Sequence, residues 1–219
     1  RAPSEPWTID LSGTLQVLRA DDSQYADRDA PPLTRASNLA QPFSNDYGLA
    51  SLTIRREWGD LAFVSATGLV RQRLDETYDA SQPGEPPSLF RQVNDVSMLS
   101  FENRLTRESE KGGAWLAGWS FIRNRSEVDR RLETLDSRSP SLLTGVDNGI
   151  DEATLFGEVS PRLSEGFSLT LGSRVTHARL SGRATNSPRE VMARNEAVRA
   201  ARAETTFLPS AALSYSPAD

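Results

Sequence analysis

"GFSLTLGSRV", residues 166–175, alternates almost without interruption. Phe167, Leu169, Leu171 and Val175 fall on one side of an extended chain, and Ser168, Thr170, Gly172 and Arg174 fall on the other. Successive side chains of a strand point to opposite faces, so this stretch has one apolar and one polar face. What each face meets decides the fold. An apolar face packs on a core or on lipid, and a polar face meets bulk water or a filled channel.

The same period recurs along the 219 residues. "WTIDLSGTLQV" sets Trp7, Ile9, Leu11, Leu15 and Val17 against Thr8, Asp10, Ser12, Thr14 and Gln16. "GLASLTIRREW" opposes Ala50, Leu52 and Ile54 to Ser51, Thr53, Arg55 and Glu57. In "DLAFVSATGLVRQR", Ala62, Val64, Ala66 and Val70 oppose Ser65, Thr67, Arg71 and Arg73, with Phe63 and Leu69 blurring the polar side. "VSMLSFENRLT", "GAWLAGWSFI", "EATLFGEVSPRL" and "TTFLPSAALSY" repeat the theme. With the opening stretch these make eight candidate strands.

The connections alternate as well. "WGD", "ESEKGG" and "SEG" are short, polar and glycine-containing, as hairpin turns are. The other links are long, covering roughly residues 20–46, 75–94, 124–151 and 182–204. Long loops at one end and short turns at the other are the pattern of an outer-membrane barrel. Trp7, Trp58, Trp115, Phe167 and Tyr215 each sit at a strand end beside a short connection or a chain terminus and, by strand parity, on the apolar face. That is the placement of an interfacial aromatic girdle.

Composition sets the outer bounds. The chain is 37% hydrophobic with net charge −5 and mean hydropathy −0.50. No run approaches the roughly 18–20 apolar residues of a membrane helix, which leaves β-strand spans untouched. Cysteine is absent, which removes thiol catalysis, disulfides and thiolate metal sites. Basic residues are dispersed in an acidic chain, which argues against nucleic acid as a partner.

If the apolar faces meet lipid, then Arg55, Glu57, Arg71, Arg73, Glu102, Arg104, Glu158, Arg162 and Arg174 point into a lumen. An Arg turned to the bilayer midplane would cost about 2–4 kcal/mol. Residues 167–177, at about 3.3 Å rise and roughly 45° tilt, cover about 25 Å, a membrane thickness. Loop order and girdle together assign the apolar face to lipid.

At this point a family resemblance enters. "EATLFGEVSPRLSEGFSLTLGSRVTHARLSG" resembles a hairpin of TonB-dependent outer-membrane receptors, in which FGE-x-S, a short turn and LTLG-x-R recur. "GDLAFVSATGLVRQRLDETYDAS", "FENRLTRESEKGGAWLAGWSF" and "FLPSAALSYSP" resemble further strands of the same family, in family order. The resemblance implies a barrel of about 22 strands with a plugged lumen, in a bacterial outer membrane and energised through the TonB protein. Residues 1–219 then read as an internal segment of that barrel: all-β, about eight antiparallel strands in an up-and-down meander, with no plug domain. Its expected partners are the bilayer, lipopolysaccharide, the plug and the TonB system. Its expected cargo is a scarce nutrient such as a ferric siderophore. Two alternatives stay open: a complete eight-stranded outer-membrane barrel with a structural or adhesive role, and a soluble ligand-binding β-sandwich.

Catalysis has no foothold, and no cofactor or metal is expected. His177 is the sole histidine, and its place near a strand end favours a rim role. Glu102 with Arg104, and Glu158 with Arg174, read as contacts to plug or lumen water. "NRS" at 124–126 matches a glycosylation acceptor that means nothing in a bacterial outer membrane. Ser187, Pro188 and Glu190 form a capping-box pattern that predicts a loop helix bearing Arg189, Arg194, Arg199 and Arg202. The spacing of Val128, Leu132 and Leu135 predicts another over 126–135. Asp21–Asp22 and Asp75–Glu76 read as exposed acidic turns.

Overall fold

The computed structural model describes residues 6–22, 26, 28–29, 31–37, 39–109, 113–135, 141–164, 166–185 and 199–215. Eight strands follow in order: β1 (Thr8–Ala20), β2 (Phe43–Trp58), β3 (Leu61–Asp79), β4 (Ser88–Ser109), β5 (Gly113–Thr134), β6 (Ser141–Ser164), β7 (Phe167–Thr185) and β8 (Arg199–Tyr215). They form one antiparallel sheet in which each strand pairs with the next in sequence. This is the meander that period-two alternation and hairpin turns predict. The strands do not divide into two packed sheets, which removes the sandwich. Nor does β1 pair with β8, so the sheet is open and is not a closed eight-stranded barrel.

A single curved layer has no interior. Among the described residues no apolar side chain is buried, and Leu15 and Leu11 stand 88% and 79% exposed. The strands are held instead by continuous backbone ladders, such as the unbroken register from Leu61↔Arg107 to Asp79↔Leu89 between β3 and β4.

The short connections lie at one end, here called the turn end, and the long links at the other, the loop end. Two residues, Gly59 and Asp60, join β2 to β3, and Gly59 has φ 60°. Glycine in the left-handed region at the first central position is the type II′ hairpin signature, whose twist matches that of the flanking strands. The Asp60 carboxylate accepts a hydrogen bond from Arg107 Nε at 2.7 Å, and its carbonyl accepts one from the Glu108 N–H at 3.1 Å. The turn is thereby stitched to β4.

Three expectations are corrected at the loop end. The link between β3 and β4 is only residues 80–87, and that between β5 and β6 only 135–140, because the strands run far past their apolar stretches. Residues 126–135 form no helix: β5 continues through Thr134. Val128 and Leu132, four apart, share a face in a strand as well as in a helix, so their spacing did not discriminate. In the third, Arg199 and Arg202 belong to β8; the rest of the expected loop helix, 186–198, lies outside the described residues.

The Asp60–Arg107 contact yields a pH prediction. The Arg107 hydrogen bond holds the Asp60 carboxyl below its usual range, so its stabilisation is fully present above the ordinary carboxylate pKa. It is lost as pH falls through the lowered folded-state value. Asp60→Asn in the native protein should therefore lower the urea midpoint at pH 7. The gap to wild type should close near pH 2, and a gap independent of pH would refute the assignment.

Candidate functional site

Register sorts every strand residue onto one of two faces, since residues paired across strands lie on the same side. Trp7, Trp58, Trp115, Phe167 and Tyr215 all fall on one face at the turn end, which we call the aromatic face. Trp7 meets Trp58 edge-on at 6.0 Å, and the Arg56 guanidinium lies 4.8 Å from each ring. Phe167 stacks on Tyr215 at 4.4 Å. Above this girdle the same face carries Ile9, Ile54, Trp119, Leu155, Val175 and Phe207, in rows that cross the sheet. The exposed residues of β5 are Ala117, Trp119, Arg123, Glu127 and Arg131, all on this face. Greater exposure on one side is what curvature gives the convex surface.

Over the same half, the opposite face is polar. Arg55 pairs with Asp10. Glu102 and Arg104 lie on it in β4, Glu158 and Arg162 in β6, and Arg174 in β7. Arg174 reaches Glu152 at 3.9 Å rather than Glu158, and its Nε donates to Thr176 Oγ1 at 3.4 Å. Gly118 sits among them directly across from Phe156. The Phe156 ring lies where a side chain at Gly118 would be.

Arg71 and Arg73 do not belong with this group. The ladder with β2 places them on the aromatic face, in line with Gly48 and Asp46, and puts Ala62, Val64, Ala66 and Val70 on the opposite face. Phe63 and Leu69, which blurred the alternation, join Leu61 as the apolar members of β3 on the aromatic face. Small aliphatic residues are admitted on the other side, and they disguised the parity.

Toward the loop end the polarity inverts. The aromatic face becomes a belt of ion pairs: Arg19–Asp46 at 2.6 Å, Arg73–Asp95 at 2.8 Å, Arg91–Asp75 at 2.6 Å, Arg123 and Arg125 on Asp151 at 2.7 Å each, and Arg183–Asp147 at 3.0 Å. These arginines and aspartates are neighbours across adjacent strands. The opposite face becomes neutral. Three successive rows, Leu49–Val70–Met98–Asn124–Ile150–Leu180, Tyr47–Gln72–Val96–Ser126–Asn148 and Asn45–Leu74–Asn94–Val128–Val146, contain no ionisable carboxylate, lysine or arginine. Within them Gln72 donates to Asn45 Oδ1 at 3.1 Å, and Ser126 donates to Asn94 Oδ1 at 3.0 Å. Sequence reading missed this wall because it sought apolar alternation of one sign throughout.

His177, Asp75 and Glu76 lie within strands, so Asp75–Glu76 is not the exposed turn expected, and Asp22 lies just past the end of β1. His177 lies on the aromatic face opposite Thr205, its Nδ1 2.9 Å from Thr205 Oγ1. Asp22 accepts from Arg35 and from the Gln41 N–H, and Asp75 is clasped by both Nε and Nη2 of Arg91. Glu76 accepts from Tyr78 Oη at 3.0 Å. Among the described residues no three His, Asp or Glu side chains are grouped to hold a metal ion.

Residues 4–219 match the family model described as "TonB dependent receptor-like, beta-barrel". Among solved structures, the chain is similar to the ferric yersiniabactin uptake receptor FyuA from Yersinia pestis. The TM-score is 0.73 at 12% identity, over 98% of this chain and 33% of that one. It is also similar to the unliganded ferric citrate transporter FecA, with TM-score 0.67 and 13% identity, over 96% and 32%. The chain thus spans about a third of each structure's length. Comparison with curated protein sequences gives no match.

A Cβ at Gly118 would stand 2.5 Å from the Phe156 ring and 2.7 Å from the Asn103 carbonyl oxygen. Gly118→Ala should destabilise the folded barrel by about 1–3 kcal/mol, seen as a lower temperature for loss of the fast-migrating form on unheated gels. Gly13→Ala, whose nearest contact would be 3.6 Å, should leave that temperature almost unchanged.

Proposed function

This chain belongs to the TonB-dependent receptor β-barrel family, and from that premise we propose that it is part of the barrel wall of an outer-membrane receptor for uptake of a scarce nutrient. The observation that carries this reading is the polarity of the turn-end half: an aromatic-girdled apolar face backed by Asp10–Arg55, Glu102, Arg104 and Arg174. An apolar band about 25 Å tall with aromatic girdles and a polar interior is what a lipid-facing barrel wall requires.

In this reading the aromatic face meets lipid, with Trp7, Trp58, Trp115, Phe167 and Tyr215 at the headgroups of the inner leaflet. Arg55, Glu102, Arg104, Glu158, Arg162 and Arg174 face the lumen and the plug. Arg71 and Arg73 lie on the outside, Arg73 in the ion-pair belt and Arg71 beside it, at the level of the outer-leaflet lipopolysaccharide. The open edges of β1 and β8 continue into further strands of a larger barrel, because unpaired N–H and C=O groups at a sheet edge are untenable in lipid. The plug and the TonB system are partners of the whole receptor. Uptake of a ferric complex is supported by the receptors that the fold resembles, one for ferric yersiniabactin and one for ferric citrate.

An antibody to this segment should detect, in the outer-membrane fraction, a polypeptide several times larger than 24.1 kDa. A soluble product would remove the lipid-facing assignment and everything built on it. A membrane band near 24.1 kDa would restrict the protein to a small barrel and remove the uptake reading.

A further inference from the structure

The loop-end half of the opposite face differs in kind from the half below it. Below, Glu102, Arg104, Glu152, Glu158 and Arg174 make the surface ionic. Above, the three rows through Leu49, Tyr47 and Asn45 carry aliphatic, aromatic and amide side chains from β1 to β7 without a single charge. From β1 to β7 the charges at this height lie on the other side of the sheet, where arginines and aspartates neutralise one another; Arg202, which continues the first row into β8, is paired with Glu204 on the same face at 2.5 Å. One row further out, Glu76 and Arg130 do face this side, but both are tied to Gln92, which donates to Glu76 Oε2 and accepts from Arg130 Nε.

Such a wall is badly suited to a polyanion. Binding a multiply charged anion strips its hydration, and the loss is offset only where guanidinium or ammonium donors replace it. Apolar surface interspersed with amide donors and acceptors instead matches a ligand with methylene or ring faces and carbonyl or hydroxyl edges.

Building on the ferric-uptake reading above, we propose that this wall contacts the cargo and selects an uncharged ferric chelate over an anionic one. Gln72 and Asn94 would supply hydrogen bonds to its polar edges, and Tyr47, Leu74 and Val96 its apolar contact.

The test uses the full-length receptor and two ferric probes of opposite character. A ferric tris-hydroxamate is neutral, because three singly charged groups balance the ion; a ferric tris-catecholate is trianionic. Binding is read by quenching of intrinsic tryptophan fluorescence. The neutral complex should bind at least about tenfold tighter, a difference of about 1.4 kcal/mol. Gln72→Lys with Asn94→Lys should narrow or reverse that ratio while the barrel keeps its folded gel mobility. Equal or tighter binding of the trianion by the unaltered receptor would overturn the neutral-wall inference and leave ferric uptake standing. So would an unchanged ratio in the folded double variant. Binding of neither probe would overturn the ferric reading itself, and this inference with it.

Discussion

The backbone ladder is what the rest of this structure depends on. Eight strands lie in one layer, each hydrogen-bonded to the next, and no apolar side chain among the described residues is buried. In a globular domain, burial of apolar side chains supplies most of the favourable energy and the ladder follows. Here the order is reversed. The ladder satisfies the backbone, which in hydrocarbon would otherwise leave each polar group at a cost of several kcal/mol. The two faces are then free to suit whatever lies against them.

That freedom explains why side-chain polarity changes partway along the strands. Near the turns the aromatic face is apolar and its reverse is ionic; near the loops the ionic groups have changed sides. β6 is 24 residues long, about 80 Å at strand rise, whereas a membrane uses about ten residues of it. In the proposed placement the remainder stands in an aqueous or headgroup environment, so it obeys a different rule. The Arg–Asp pairs of that region are exposed and individually worth at most about 1 kcal/mol. Their main effect is on register. A slip by one residue would turn the whole belt inward and the neutral rows outward.

Much of this was legible in the sequence. Period-two alternation found all eight strands and the turns that join them, and the resemblance of their motifs found the family. Parity placed five aromatics on one face from five separated positions, and the register agrees. What failed did so for physical reasons. Beyond the apolar band the alternation becomes polar against neutral, which a search for hydrophobic periodicity does not see. The strands were therefore ended too early and the links drawn too long. In β3, Leu61, Phe63 and Leu69 are the apolar residues on the aromatic face, but four small aliphatics on the other side outnumber them, and Arg71 and Arg73 were drawn to the wrong group. Helical spacing at Val128 and Leu132 is also an even spacing, so it fits a strand equally well.

The long loop-end extension of the strands has a consequence for biogenesis. In the proposed outer-membrane placement, a chain delivered from the turn side carries Arg73, Arg91, Arg123, Arg125 and Arg183, with their aspartates, across the hydrocarbon before they reach their final level. Each arginine meets a midplane barrier of about 2–4 kcal/mol, and the mutual neutralisation seen in the finished sheet is not in place until the strands have zipped. Spontaneous passage through an undisturbed bilayer is therefore slow. That placement calls for a local breach: a thinned or laterally opened patch of membrane where hairpins cross with their charges already paired.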